Sequence, residues 1–365
     1  MFLKKANKFY KKILNNGKQD FYLIPFKIIF YLFSLFFLFG IKIRSFLYNN
    51  GILTTRKLNC KVVSIGNLSM GGTGKTPLTI FLAGLFINEK KKVAVLSRGY
   101  KGKKLKKSKI VRDEREFFLN PVEAGDEPYL MAKQIKAPVI IGKNRYLSGK
   151  LAIKKYSTEI IILDDGFQHL GLFRNLDIVI INALDYPGRE NLFPLGYFRE
   201  PFSHIKRADL ILIGKSSNQN VTTGLEEKIR KYKNDVKLFF MDLYPEKIID
   251  ISGEKNLPLA FLRDKEVAAI SAIAHPEHFF LIIKDLGAKI VKKYIYPDHH
   301  IFTMNDIKKW EREKIDDIYI ILTEKDAVKL PRVIEDKFKF IVLSVKVRIE
   351  PLKEFVDIIR QKILG

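Results

Sequence analysis

Gly71-Gly72-Thr73-Gly74-Lys75-Thr76 is the stretch of this 365-residue chain whose residue types and spacing imply chemistry most directly. Glycines let backbone N–H groups converge on anionic oxygens without obstruction by a Cβ. A helix opening at the Lys-Thr pair adds the partial positive charge of its N-terminus. Lys75 would then reach the outer phosphates of ATP, and the Thr76 hydroxyl would hold Mg²⁺. Ser69 stands where the strict phosphate-loop pattern has its first glycine, and Met70 follows it. The context supplies what the pattern lacks. Val62–Ile65 is an apolar run suited to a buried strand before the turn, and a helical pattern continues to about Asn88. The bland alternative is a glycine turn that binds nothing.

Other chemically capable residues lie at the ends of apolar runs. Glu159–Asp165, EIIILDD, reads as a buried strand delivering a carboxylate to Mg²⁺, the usual companion of a phosphate loop. Gly125-Asp126-Glu127-Pro128 opens a helix near Pro128–Gln134. Its carboxylates read either as a helix cap or as groups at the mouth of a sheet, where ligands of open α/β sheets bind. Arg98, Arg145, Gln168 and His169 each follow a short apolar run. Arg199-Glu200 after a glycine turn reads either as a surface ion pair or as an arginine offered to phosphate. Pro297-Asp298-His299-His300 reads by spacing alone as a hydrogen-bonded turn, and Thr323-Glu324-Lys325-Asp326 ends a further strand.

These groups need a frame that brings strand ends together. Val93–Ser97, Pro138–Ile141, Leu176–Ile181 and Leu210–Ile213 alternate with helical patterns, which predicts a doubly wound parallel sheet. From about Lys215 the polar stretch SSNQNVTTG reads as a linker. A second set follows: Leu238–Met241, Val267–Ile273, Ile290–Tyr294, Tyr319–Leu322 and Phe340–Leu343, with a helix over Pro276–Leu286 and a last one over Glu350–Ile363. The expected organisation is an N-terminal segment 1–45, a phosphate-loop domain 46–214, a smaller α/β domain 215–349, and a C-terminal helix 350–365 packing on either lobe.

Composition sets the outer bounds. The chain is 47% hydrophobic and 29% charged, as for a globular protein, and its one cysteine excludes an internal disulfide. The net charge of +25 admits nucleic acid, anionic membrane or an acidic substrate. No nucleic-acid recognition motif accompanies it, so no nucleic-acid partner is expected, nor an obligate protein partner. The run KGKKLKKSK at Lys101–Lys109 reads as a solvated basic loop. Lysines crowd residues 1–20, and Phe21–Ile41 is apolar and rich in phenylalanine. Its uninterrupted part, Ile28–Ile41, falls short of the roughly 20 residues that span a bilayer. Basic flanks on both sides, with no small-residue cleavage site after Gly40, predict an interfacial or re-entrant anchor.

Taken together, GNLSMGGTGKTP at 66–77, SRGYKG at 97–102, GDEP at 125–128, DDGFQH at 164–169, LGYFREP at 195–201, IAHPEHF at 273–279, PDHH at 297–300 and TEKDAVKL at 323–330 resemble the tetraacyldisaccharide 4′-kinase family, the lipid A kinases of Gram-negative bacteria. The resemblance implies two Rossmann-like lobes of phosphate-loop NTPase type with an N-terminal membrane-associated helix. It implies transfer of the ATP γ-phosphate, with Mg²⁺, to the 4′-hydroxyl of a tetraacyldisaccharide 1-phosphate at the cytoplasmic face of the inner membrane. The partners are then that lipid and the anionic membrane surface. Residue by residue, it implies that Ser69, Met70, Gly71, Gly72, Thr73, Gly74, Lys75 and Thr76 bind nucleotide, and that Thr76, Asp164 and Asp165 meet the metal. Lys75 and Asp126 act in catalysis, Asp126 as the base, with His299 from the second lobe pairing to it as the lobes close. Arg98, Glu127, Arg145, Gln168, His169, Arg199 and Glu200 are further site positions. The chain departs from the family at Pro187–Asn191, at Tyr197 and at Asn144. The competing readings are a phosphate-loop NTPase switch, or a ParA/MinD-like ATPase on the membrane. The signature lysine of the latter would fall at Met70.

Overall fold

The computed structural model describes residues 23–99, 107–183, 191–214, 219–251, 255–315, 317–331, 334 and 337–365. The N-terminal lysines, most of the basic run at 101–109, the start of the SSNQNVTTG stretch and most of Pro187–Asn191 lie outside the described residues. The described chain gathers into two compact units. One holds residues up to 75, 165–242 and 349–365; the other holds 76–164 and 243–348.

In the first unit, helix α1 (Ile24–Asn49) is continuous for 26 residues, longer than the uninterrupted apolar stretch Ile28–Ile41. Pro25 sits in the first turn, where its missing N–H costs no helical bond, and Lys27 lies within the helix. The 26 residues rise about 39 Å, and by length and composition alone the helix could cross a membrane. Strand β1 (Lys61–Asn67) pairs in parallel with β6 (Leu176–Asn182), β6 with β7 (Leu210–Gly214), and β7 with the start of β8 (Lys237–Asp250). Leu68, Phe167, Phe198, Ile205, Ile211 and Leu225 pack the core beside them. Helix α6 (Gln219–Tyr232) occupies part of the stretch read as a linker. Its Leu225 and Ile229 face that core at i, i+4 spacing, and this burial overrides the polar composition. Helix α10 (Leu352–Ile363) belongs to this unit, with Phe355 edge-on to Phe239 at 5.1 Å and Lys362 paired to Asp209 at 2.6 Å.

In the second unit, β5 (Ile160–Asp164), β2 (Val93–Ser97) and β4 (Val139–Ile141) run parallel, each buried along its length. Such continuous apolar runs are what a sheet covered on both faces requires. Strand β3 (Lys109–Arg112) joins antiparallel to β4; the sequence reading had no strand there. Helices α2 (Lys75–Asn88), α3 (Pro121–Ala124), α4 (Asp126–Gln134) and α5 (Arg145–Tyr156) complete this part.

A second parallel set of strands runs β13 (Phe340–Glu350), β12 (Tyr319–Thr323), β10 (Glu266–Ser271), β11 (Lys289–Ile295). The end of β8 pairs antiparallel with β9 (Lys255–Leu257). Helices α7 (Pro276–Asp285), α8 (Met304–Arg312) and α9 (Glu324–Ala327) lie between these strands in the chain. Trp310 is fully buried among Tyr294, Phe302, Phe338 and Phe340. The fold class is α/β with mostly parallel strands, as the alternation of runs predicted.

Candidate active site

In the first unit the end of β1 feeds the glycine loop. Gly71 and Gly74 both have positive φ, 130° and 84°, so the turn uses the freedom glycine supplies. Asn67 crosses the loop's mouth. Its Nδ2 donates to Thr73 Oγ1 at 3.0 Å, and its Oδ1 accepts from Arg199. The LGYFREP stretch clamps the other side. Met70 N donates to Tyr197 O and Arg199 N to Leu68 O, both at 2.7 Å. Main-chain bonds therefore hold the loop in place. Ser69 and Thr73 are buried, while Gly71 and Gly72 are exposed, with their backbone open to solvent.

Asp165 has a left-handed backbone, φ 53°, which turns the chain immediately after β5. Its carboxylate accepts two bonds from the Arg199 guanidinium, each 2.9 Å, and lies 3.5 Å from Lys75 Nζ. Burial resists its ionisation, but the Lys75 and Arg199 charges outweigh that and hold it well below the usual carboxylate range. Arg199 and Glu200 do not pair with each other. Arg199 serves Asp165 and Asn67. Glu200 is buried and accepts from Arg207 and, at 3.0 Å, from His204. Glu200 thus braces the Phe202–Arg207 turn. Gln168 donates from Nε2 to Asn67 O at 2.8 Å, and His169 contributes its carbonyl to Arg174 at 2.8 Å.

Phe167 presses its Cβ against β1 so closely that a Cβ at Gly66 would fall 2.4 Å from it. Gly66→Ala is expected to lower stability by about 1–3 kcal/mol, the usual cost of overpacking. Thermal unfolding checks this, and an unchanged midpoint would show that Phe167 can move aside.

In the second unit Thr76 is buried at the start of α2, and Asp164 is buried at the end of β5, accepting from Ser97 Oγ at 3.0 Å. Arg98 is exposed just past β2. Arg145 is buried and turns back to donate to Gly142 O, while Asn144 caps its helix by accepting from Leu147 N at 3.1 Å.

Helix α4 begins two residues earlier than the sequence suggested, at Asp126 itself. Gly125 at φ 91° provides the turn into it and has no side chain to cap it. Asp126 is buried, and His299 Nδ1 donates to both its oxygens, at 2.7 and 2.9 Å. Both residues lie in the same unit and are in contact. Burial resists ionisation of Asp126. The His299 hydrogen bond and the Lys325, His299 and Lys329 charges prevail and place it below the ordinary carboxylate range. His299 has a left-handed backbone, φ 61°, and donates its N–H to Ala272 O at 3.2 Å.

Two residues in these sites went unassigned from sequence. Asn67 stands inside the GNLS motif, and Lys325 inside TEKD. Lys325 lies 2.9 Å from Glu127, 3.2 Å from Asp298 and 3.9 Å from Asp126. Its sequence signals were its place two residues past the end of β12 and its membership of the TEKDAVKL motif.

A family profile described as tetraacyldisaccharide-1-P 4'-kinase matches residues 26–364. The chain belongs to the tetraacyldisaccharide-1-P 4'-kinase family. A protein named tetraacyldisaccharide 4'-kinase from Syntrophus aciditrophicus is 34% identical over 350 residues, covering 92% of each chain. One of the same name from Elusimicrobium minutum is 36% identical over 323 residues, covering 87% of this chain and 86% of the other. The crystal structure of LpxK from Aquifex aeolicus in complex with ATP superposes with a TM-score of 0.74 at 32% identity, covering 93% of this chain and 98% of that one. As a member of the tetraacyldisaccharide-1-P 4'-kinase family the chain is a phosphotransferase of lipid A biosynthesis, and this reading prevails over the NTPase switch.

Proposed function

We propose that the chain transfers the γ-phosphoryl group of ATP to the 4′-hydroxyl of a tetraacylated glucosamine disaccharide 1-phosphate, working at the cytoplasmic face of the inner membrane. The reading is carried by the buried Asp126–His299 contact in a chain of this kinase family. A carboxylate locked to an imidazole and kept ionised is suited to accept a proton from a sugar hydroxyl. Loop amides of Gly71–Gly74 and the Lys75 ammonium would hold the triphosphate.

The Thr76 hydroxyl with Asp164 and Asp165 would supply the donors for Mg²⁺, all hard oxygens, which suits that ion. Among the described residues no group of three His, Cys, Asp or Glu is drawn together for a metal held by protein alone. An ion carried in on phosphates needs only one or two carboxylates. When bound it neutralises charge on the transferring group. In the step itself the 4′-oxygen forms its bond to phosphorus, the β–γ bridging bond breaks, ADP leaves, and the hydroxyl proton passes to Asp126. Arg199 holds Asp165 in place, and Asn67 holds the loop. Purified protein with ATP, Mg²⁺ and tetraacyldisaccharide 1-phosphate is expected to add one phosphate to the lipid, read by mass. An unaltered lipid with steady ATP hydrolysis would overturn the proposal in favour of a switch.

The membrane part of the proposal rests on α1. Nearly its whole length presents apolar side chains to the exterior, among them Phe33, Phe36 and Phe39 at 58%, 74% and 63% exposure. The helix is tied down by Ser34 Oγ donating to Leu192 O at 2.9 Å and by Phe37 edge-on to Phe193. An apolar helix exposed on most sides, in a chain of charge +25, suits an anionic bilayer. Replacing Phe33, Phe36 and Phe39 together with Ser is expected to weaken flotation with anionic vesicles at least about tenfold, since each buried apolar side chain contributes roughly 1.5–3 kcal/mol. Unchanged flotation would remove α1 as the anchor.

A further inference from the structure

Lys325 occupies a position that the proposed reaction does not yet use. It stands on α9, and its side chain is only 18% exposed. Its ammonium faces three carboxylates from two other segments: Asp126 and Glu127 at the start of α4, and Asp298 beyond β11. Glu127 is the chain neighbour of Asp126, and Asp298 is the chain neighbour of His299. One lysine therefore grips the residue beside each partner of the pair. Asp298 Oδ2 also lies 3.5 Å from His299 Nε2, so the far side of the imidazole faces the same cluster.

The lysine is itself held. Asp326, fully buried, accepts from Thr323 Oγ1 at 2.8 Å, from Ala272 N at 3.1 Å and from Lys329 Nζ at 2.6 Å. The same Ala272 accepts from His299 N through its carbonyl, so one residue fixes both the lysine's helix and the histidine's loop. Glu324 accepts from Gln134 Nε2 at 2.6 Å and from Ser344 Oγ at 2.8 Å, which ties α9 to the end of α4.

We propose that Lys325 is a positioning residue for the phosphoryl-transfer site, holding Asp126, Glu127 and Asp298 in one cluster and so fixing the Asp126–His299 contact. This inference rests on the reading of Asp126 as the base. An ammonium has three N–H donors, and here three carboxylates surround them. A flexible point charge so surrounded acts on its neighbours rather than on a phosphate. Removing it leaves three carboxylates in one partly buried place. Their repulsion spreads the cluster and favours protonation of Asp126, which disables the base.

The test is steady-state kinetics of the full chain on vesicles carrying the disaccharide substrate. Lys325→Met is expected to lower kcat about 10–100-fold, the scale of a small misplacement at a reacting group, with the KM for ATP unchanged. The acid limb of kcat is expected to move to higher pH. Besides Lys325, the charges acting on Asp126 are His299 and Lys329; Glu127 and Asp298 share Lys325 with it, Asp326 pairs with Lys329, and all remain in the variant. Lys325→Arg should recover most of kcat, because the charge returns. In an Asp126→Asn background Lys325→Met should lower the residual rate no further. Lys325→Gln, read alongside with ATP binding as the fold control, decides the matter should the Met variant not fold. Normal kcat with an unmoved acid limb would overturn the inference, as would a raised KM for ATP at normal kcat, or an undiminished effect in the Asp126→Asn background. If Asp126→Asn alone kept normal kcat, the base reading would fall first and take this inference with it. If Asp126→Asn lost activity and the Lys325 variants did not, only the inference would fall.

Discussion

Lys75→Ala is expected to abolish lipid phosphorylation, with kcat reduced at least about 10²–10³-fold, the scale for loss of one preorganised charge at a transferring group. Lys75 opens α2, and its side chain is mostly buried beside Asp165. At 3.5 Å from that carboxylate, it is held at the rim of the glycine loop rather than free in solvent. Alanine removes the charge that would lie against the outer phosphates. The loop should survive, because Asn67–Thr73, Met70–Tyr197 and Arg199–Leu68 bonds do not involve the lysine. Asp165 keeps its two bonds from Arg199. Phosphate gained by the lipid, followed by mass, checks the effect, and thermal unfolding checks that the fold persists. A variant with near-normal kcat would exclude the loop from the chemistry.

Asp126→Asn should lower kcat by about 10²–10⁴-fold, the usual range for a lost general base, and leave ATP binding largely intact. Asparagine fills the same space but cannot take the proton. The contact with His299 is weakened as well, since a charge-assisted bond to both oxygens becomes an ordinary one. A raised KM for ATP at unchanged kcat would instead make Asp126 a nucleotide or metal ligand.

The depressed value of Asp126 sets the sign of two pH effects. The carboxylate is ionised through the neutral range, so the acid limb of kcat that it governs should lie below the range of an ordinary aspartate. For stability, a group lower in the folded than in the unfolded state contributes above its unfolded value of about 3.9, and that contribution is lost as pH falls through the folded value. Acid denaturation of the wild type should therefore outpace that of Asp126→Asn at the lowest pH. Unfolding midpoints measured across that range check the difference.

The elements whose pattern is local were readable in advance. β1, β2, β5, β6 and β7 are short apolar runs bounded by turn residues, and they lie within a residue or two of the expected places. Two local readings failed, each for a tertiary reason. The polar stretch after Lys215 continues into α6 because Leu225 and Ile229 find a core to face. Lys109–Arg112 becomes a strand because β4 offers it an edge.

By itself, the sequence determined the glycine turn on which the proposed phosphate-loop chemistry rests. The glycines, Lys75 and Thr76 are consecutive, so their function depends on backbone conformations that a few residues can dictate. It also determined the alternation of strands and helices that makes an α/β sheet. Only the tertiary structure decided which charges meet. His299 lies 173 residues from Asp126, and Lys325 lies 198 from Glu127. Arg199 and Glu200 are adjacent in the chain yet serve Asp165 and Arg207, each with its own partner. No local rule links residues so far apart or separates neighbours so completely. Those contacts exist because, within each unit, elements close in space bring distant segments together, and burial there makes an unpaired charge too costly to leave.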